Sequence, residues 1–383
     1  MTDRQRLLRG FVAGLIIAGV LAIPAGASTV TFAGSAFADY WFTTSEAARR
    51  ASVTGFTGLT GFTPEAAIKL EADVHEKLSF TGRACFGCHG VEVDRVHIDY
   101  TPSTYFNIQA GRIGVPFGEM SIRYDPTSHR SVSKPLIYDM GRMAYYGPNA
   151  FNLGVVPQPY VETGAVVYGQ LQPTETFQIW YGAYIVAGMR GNNDFDFRAM
   201  RQPFYVDNND EPAGGGRVVF TWSPENSLIK DVQFGLSGMY GRYDAKRTLA
   251  YTALGADAAL RIGAVTVRSE VAFIRVDLQR DPRLYRYRLI DTYMDKGGGF
   301  VEVEHPITSW LSTLYRFDVL ARKANPFTES LRELTPDSRI YRYTQAFQLL
   351  LTDSAYAKVS YEYWHPTDFP TFHSVHVGLG GTF

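Results

Sequence analysis

After residue 28, apolar and polar residues alternate with a period of two in one short stretch after another. Val30, Phe32, Ala36, Ala38, Tyr40 and Phe42 share one face, and Thr29, Thr31, Ser35 and Asp39 share the other. Ile68, Leu70, Ala72 and Val74 alternate with Lys69, Glu71, Asp73 and His75. Leu254, Ala256, Leu260 and Ile262 oppose Asp257 and Arg261, and Val301 and Val303 oppose Glu302 and Glu304. Val359, Tyr361 and Tyr363 oppose Lys358, Ser360 and Glu362, and the tail sets Val375, Val377, Leu379 and Phe383 against His376. Successive side chains of an extended chain point to opposite faces, so each stretch predicts a strand with one apolar and one polar side. Sixteen strands are predicted, starting near residues 29, 66, 78, 91, 105, 160, 175, 214, 231, 250, 265, 298, 311, 340, 355 and 374.

A soluble sandwich also alternates. Here, however, the polar face carries charges in mid-strand, and the apolar face carries Tyr and Phe near strand ends. That arrangement suits apolar-out, polar-in strands around a wet lumen. The fold class expected is all-β, a transmembrane antiparallel β-barrel of sixteen strands, and an even count is what a single-chain barrel needs. Composition agrees, with aromatic residues at 14%, Tyr 24 and Phe 25, a mix that suits girdled strands better than a helical core. A net charge of −1 gives no reason to expect a nucleic-acid partner. Short links at 101–104, 172–175 and 352–355 predict periplasmic turns. Long links near 43–65, 116–158, 189–213, 279–296 and 323–338 predict extracellular loops.

The first 27 residues have a different pattern. Arg4, Arg6 and Arg9 precede an apolar run from Phe11 to Ile23, and Ala25-Gly26-Ala27 offers small residues for cleavage. This predicts a secretory signal peptide over 1–27, with the barrel occupying 28–383. Export and a lipid-facing barrel together place the chain in the outer membrane of a Gram-negative bacterium.

The chain has two cysteines, and both lie in RACFGCHGVEVD. Cys85 and Cys88 are spaced Cys-x-x-Cys and His89 follows, the attachment pattern of a c-type haem. Two thiols at this spacing can add to the two vinyl groups of one haem, and the next residue is placed to ligate the iron. One covalent haem c is therefore expected at Cys85, Cys88 and His89. For the sixth ligand His129 ranks first and His376 second, with Met120, Met140 and Met143 also in or near the long loop. The strand count puts the motif at the extracellular tip of the third and fourth strands, with Cys85 facing the lumen. The alternative is a Cys85–Cys88 disulfide that ties a tight hairpin. A structural zinc site would need a second cysteine pair, which the sequence lacks. Nothing at readable spacing resembles a Ser-His-Asp arrangement, so an electron carrier or channel is expected in preference to an enzyme.

Residues 91–126, VEVDRVHIDYTPSTYFNIQAGRIGVPFGEMSIRYDP, resemble the strand–turn–strand block of the phosphate-selective-porin-like barrels of Gram-negative bacteria. An alternating strand, a short Pro turn and AGRIGVPFG leading into a long loop carry the likeness. The closing Phe383 also resembles the terminal signal of such barrels. The resemblance implies sixteen strands, frequent homotrimers, and a pore narrowed by an infolded loop, here 116–158. That loop offers Arg123, Arg130, Lys134 and Arg142 as pore-lining cations, balanced by Glu119, Asp125 and Asp139. The Cys-x-x-Cys-His motif departs from that family and resembles the fused cytochrome–porins of iron-oxidising bacteria, although here the motif follows two strands. These likenesses leave two expectations. The first is a porin-like barrel bearing haem c that transfers electrons at the outer membrane, with a periplasmic cytochrome as partner. The second is a passive diffusion porin for small solutes or ions, anion-preferring and without haem.

Overall fold

The computed structural model describes residues 29–43, 61–87, 90–121, 123–138, 145–146, 151–152, 154–157, 160–191, 207–225, 227–279, 291–323, 337, 339–367 and 371–383. The expected signal peptide, Cys88, His89, Met140, Arg142 and Met143 lie outside these residues.

Sixteen strands close into one antiparallel barrel. In chain order they are β1 (Thr29–Thr43), β2 (Gly61–His75), β3 (Leu78–Gly87), β4 (Gly90–Tyr100) and β5 (Asn107–Gly114), then β8 (Val161–Thr174), β9 (Phe177–Val186) and β10 (Ala213–Trp222). They continue with β11 (Ile229–Arg242), β12 (Ala250–Ile262), β13 (Val265–Asp277), β14 (Tyr293–Pro306), β15 (Leu311–Lys323), β16 (Arg339–Leu350), β17 (Ala355–Pro366) and β18 (Phe372–Thr382). The two short strands β6 (Tyr145–Tyr146) and β7 (Phe151–Asn152) pair with each other inside the loop between β5 and β8. Each barrel strand pairs with its sequence neighbour, and β1 pairs with β18 to close the ring. Phe383 extends the seam, exchanging backbone hydrogen bonds with Gly34 at 3.0 and 3.1 Å. Closure leaves no edge strand, the condition for a sheet in lipid.

The barrel is inside-out relative to a soluble protein. Phe32, Ile68, Leu254, Val271, Val301, Val377 and Leu379 are exposed on the outer wall. Asp94, Arg217, Glu270, Asp318, Arg342, Lys358, Glu362 and His376 are buried within. The predicted faces therefore hold, because strand pleating fixes side-chain direction once one residue is placed. The links at the end that holds Thr29 and Phe383 are all short, and the long links lie at the other end, together with the two-residue β3–β4 link.

Two strands begin five residues before their predicted starts, at Gly61 rather than 66 and at Tyr293 rather than 298. In β2, Pro64 reads as a strand breaker. Yet β3 pairing begins only at Ala66, so Pro64 faces a partner on one side alone, Ala38 of β1. There its missing N–H is tolerated, as at a sheet edge. In β14, the run Gly297-Gly298-Gly299 at the predicted start has no side chains to alternate, yet it is fully paired with β13 and β15, and the β13 pairing runs back to Tyr293. A Cβ on Gly298 would collide with the Val319 carbonyl of β15 and lie 2.9 Å from Ile137 of the long loop, so the glycine lets both the neighbouring strand and the loop segment lie close.

Candidate functional site

The link from 115 to 160 leaves β5 and returns to β8, and its ends are zipped where the Val115 N–H donates to the Tyr160 carbonyl at 2.9 Å. Between them the chain folds into the lumen. Gly118 turns with φ +71°, and a Cβ there would collide with the Glu270 carboxylate and the Tyr138 hydroxyl. Its N–H donates to Ser237 Oγ of β11 at 3.1 Å, and the Met120 N–H donates to Glu270 of β13 at 3.2 Å. Arg123 then reaches Glu302 and Glu304 of β14 at 3.4 and 3.3 Å and Glu119 of its own segment at 3.3 Å.

One residue later the contacts change sides. The Tyr124 hydroxyl donates to Asp94 of β4 at 2.6 Å, and Asp125 pairs with Arg83 of β3 at 2.7 Å. In the ring of sixteen strands, β3 and β14 stand seven apart by one path and nine by the other. A segment three residues long thus binds nearly opposite walls, so the loop spans the lumen.

The rest of the segment returns along the β15–β17 wall. Asp125 caps the short 3-10 helix Pro126–Ser128, accepting from the N–H and hydroxyl of Thr127 at 3.0 and 2.9 Å. Burial alone would raise the Asp125 carboxyl, but the Thr127 donors and Arg83 outweigh it and hold it below the usual carboxylate value. Arg130 donates to Gln348 at 2.8 Å, the Val132 N–H to Ser360 at 2.9 Å, and Ser133 to Glu362. Arg316 donates to the Ser131 hydroxyl and to the carbonyl and hydroxyl of Ser133. Arg342 donates to the Lys134 carbonyl at 2.6 Å, and the Leu136 N–H to Asp318 at 3.0 Å. Tyr138 ends the excursion on Glu270. Buried backbone groups need partners, and here the barrel wall supplies them from side chains.

The residues singled out from the sequence fall into separate places. Cys85 faces the lumen as expected, and its thiol donates to Asp94 at 3.4 Å. Cys88 and His89, between the paired Gly87 and Gly90, lie outside the described residues. His129 is enclosed by protein, with Nδ1 bonded to the Ser131 carbonyl at 2.9 Å. Burial, and then the nearby Lys358 and Lys134 charges, hold its imidazole well below the usual value, so the ring is neutral and Nδ1–H is the donor. His376 is buried on β18, bonded to Ser374 at 2.8 Å, 3.3 Å from Glu362 and edge-on to Trp41. Met120 is buried in the loop. Of the four loop cations, Arg123 is committed to carboxylates and Arg130 to Gln348. Lys134 stands 6.0 Å from the Tyr124 ring, and Arg142 lies outside the described residues.

Sequence reasoning missed the wall residues that receive the loop: Glu270, Glu302, Arg316, Asp318, Arg342, Lys358 and Glu362. Their signal was charge on the polar face in mid-strand, read as lumen lining rather than as anchorage. It also missed a bulge between Arg83 and Ala84 in the β3–β4 register, where Asp94 is the extra residue. The bulge lets consecutive Asp94 and Arg95 both approach Tyr124. Arg83 and Arg95 lie 4.9 and 5.5 Å from that ring. Among the described residues, no group of three His, Cys, Asp or Glu could hold a metal ion.

No protein-family model matches the sequence, and no curated protein matches it closely enough to count as a relative. Solved structures do share its fold. The anion-selective porin of Comamonas acidovorans superposes with a TM-score of 0.60 at 11% identity, over 93% of this chain and 99% of that one. The outer-membrane channel DcaP of Acinetobacter baumannii gives 0.55 at 9%, over 94% and 98%. OmpT of Vibrio cholerae in its trimer form gives 0.54 at 10%, over 93% and 99%. At such identities the likeness establishes the fold, which is that of the sixteen-stranded outer-membrane porins of Gram-negative bacteria.

Proposed function

We propose that this chain is a passive diffusion channel of the outer membrane, with small solutes or ions passing beside the infolded loop. The observation that carries the reading is the span of the loop from β14 to β3 through Arg123, Tyr124 and Asp125. A segment tied to both walls narrows the lumen without needing to move, which suits a fixed passage. Two of the structural neighbours are described as an anion-selective porin and an outer-membrane channel. An anion preference here would rest on Arg95 and Lys134 beside Tyr124, since Arg83, Arg123 and Arg130 are already engaged. Reconstitution in planar bilayers tests both points. Discrete ohmic conductance is expected, with a chloride-favouring reversal potential in a salt gradient. Insulating membranes would refute the channel, and a cation-favouring potential would refute the preference. Assembly as a homotrimer, the form described for one OmpT structure, is checked by chemical cross-linking in detergent.

A second reading is a covalent haem c on Cys85, Cys88 and His89, serving electron transfer to a periplasmic cytochrome. The lumenal aim of Cys85 favours it. Against it, Arg83, Asp94 and Tyr124 fill the space beside that thiol, so the described residues shape no porphyrin pocket. His129 and His376 are each enclosed and bonded elsewhere. A haem-stained denaturing gel decides: stain on the wild-type band that is lost from Cys85→Ala and Cys88→Ala supports haem, and an unstained wild-type band removes it.

A further inference from the structure

Lys358 stands apart from the other lumenal cations of its wall. Arg316 and Arg342 share Asp318, and Arg342 also lies 3.5 Å from Glu362. Lys358 is fully buried, and among the described residues no carboxylate lies within ion-pair distance of it. Its ammonium instead donates to three backbone carbonyls of the loop, those of Pro126, His129 and, at 3.4 Å, Ser131. The rings of Phe37 and Tyr356 stand 5.2 and 5.0 Å from it on the wall side. An ammonium has three N–H donors, and this segment curls to offer three acceptors. Aromatic faces complete a cage of the kind that favours a cation.

We infer that Lys358 is the positioning residue that holds the infolded loop against the β17 wall and so sets the bore of the channel. The inference rests on the channel reading. Each side needs the other. Among the described residues the ammonium's hydrogen-bond acceptors all belong to the loop, and without the ammonium the Pro126 and His129 carbonyls lose their side-chain donor, while Ser131 keeps His129. Arg123 and Asp125 hold the segment before residue 126, and Ser133 to Tyr138 hold it after residue 132. Between them Arg130, Ser131 and Val132 each reach one wall side chain, Gln348, Arg316 and Ser360, and Lys358 gathers three carbonyls of the stretch at one point. Nothing in the strand ladder depends on this side chain, because any residue but proline supplies the same backbone pairing to Gln348 of β16 and Gly378 of β18.

The test is Lys358→Met, made in the full chain and again with residues 119–137 replaced by a short Gly-Ser linker. Single-channel recording with polymers of graded size reads the bore, and heat-modifiable gel mobility reads barrel folding. In the full chain, Lys358→Met is expected to leave a folded barrel whose closing steps are about tenfold more frequent, the population change that follows loss of a charge-assisted anchor. Its polymer cut-off should differ from wild type. In the loop-deleted background the same substitution should change neither quantity. Equal bore and closing frequency in wild type and Lys358→Met would overturn the inference. If Lys358→Met does not fold in the full chain but folds without the loop, the lysine is still required only because the loop is there. If it folds in neither, the residue belongs to the wall and the inference is overturned. Absence of conductance in the wild type would instead refute the channel reading itself.

Discussion

Two stretches of lumen wall, three to five strands apart in the ring, have similar chemistry and opposite fates. On β15–β17, Arg316, Asp318, Arg342, Lys358 and Glu362 are buried under the loop and bonded to it or to one another. On β2, Lys69 and Glu71 pair at 2.5 Å but keep 44% and 43% of their side-chain surface exposed. They stand opposite Arg83 and Thr81 in the β2–β3 register, so they too face inward. Lumenal position alone therefore does not make a residue part of the passage. The loop decides, by covering one wall and leaving another wet.

The sharpest break in this comparison comes from Glu362. It receives Ser133 and Trp364 and lies 3.5 Å from Arg342 and 3.3 Å from His376. Glu362→Leu removes the shared acceptor of several buried donors and leaves Arg342 with Asp318 alone, and should cost about 1–3 kcal/mol for each donor left unsatisfied, read as a lower urea midpoint for barrel unfolding. Next comes Gly298→Val, which drives a Cβ into the Val319 carbonyl of β15 and then into Ile137 of the loop. A penalty of about 1–3 kcal/mol is expected for overpacking, read as a lower urea midpoint. Because both the wall and the loop must give way, altered conductance should accompany it.

Acidification probes the covered wall through the loop itself. His129 is held neutral in the fold, while an unfolded histidine titrates near 6.5. Below that pH the unfolded chain binds a proton that the folded chain resists, so the stabilisation present above 6.5 is lost as the pH falls. Hydrogen exchange over residues 126–134, corrected for intrinsic rate, should show weaker protection at pH 5 than at pH 7.5, and His129→Gln should flatten the difference. The smallest effect on stability is expected at the wet wall. Glu71→Gln removes an exposed pair worth at most about 1 kcal/mol. Its signature is a reversal potential shifted toward anions, and an unchanged potential would mean that β2 does not line the passage.

The haem motif and the barrel were unequally legible. Period-two alternation repeats over sixteen strands, so errors at Pro64 and at Gly297–Gly299 moved two strand starts without disturbing the whole. The motif is five residues long, and the described structure includes only Cys85 of its three chemical groups. Arg123 shows how a site can be misread even when its neighbourhood is right. A cation in the constricting loop reads as pore lining, but its charge goes to Glu302 and Glu304, 179 and 181 residues away in sequence.

By itself, the sequence determined the strands and their inner and outer faces. Each of these follows from a local rule, the pleat that sends alternate side chains to alternate sides. Only the tertiary structure decided where the loop lies and which charges it hides. Its partners lie 30 to 232 residues away in the chain. Many of its contacts also run through backbone groups, such as the carbonyls around Lys358. Every residue carries those groups, so no side-chain pattern marks the ones that will be used.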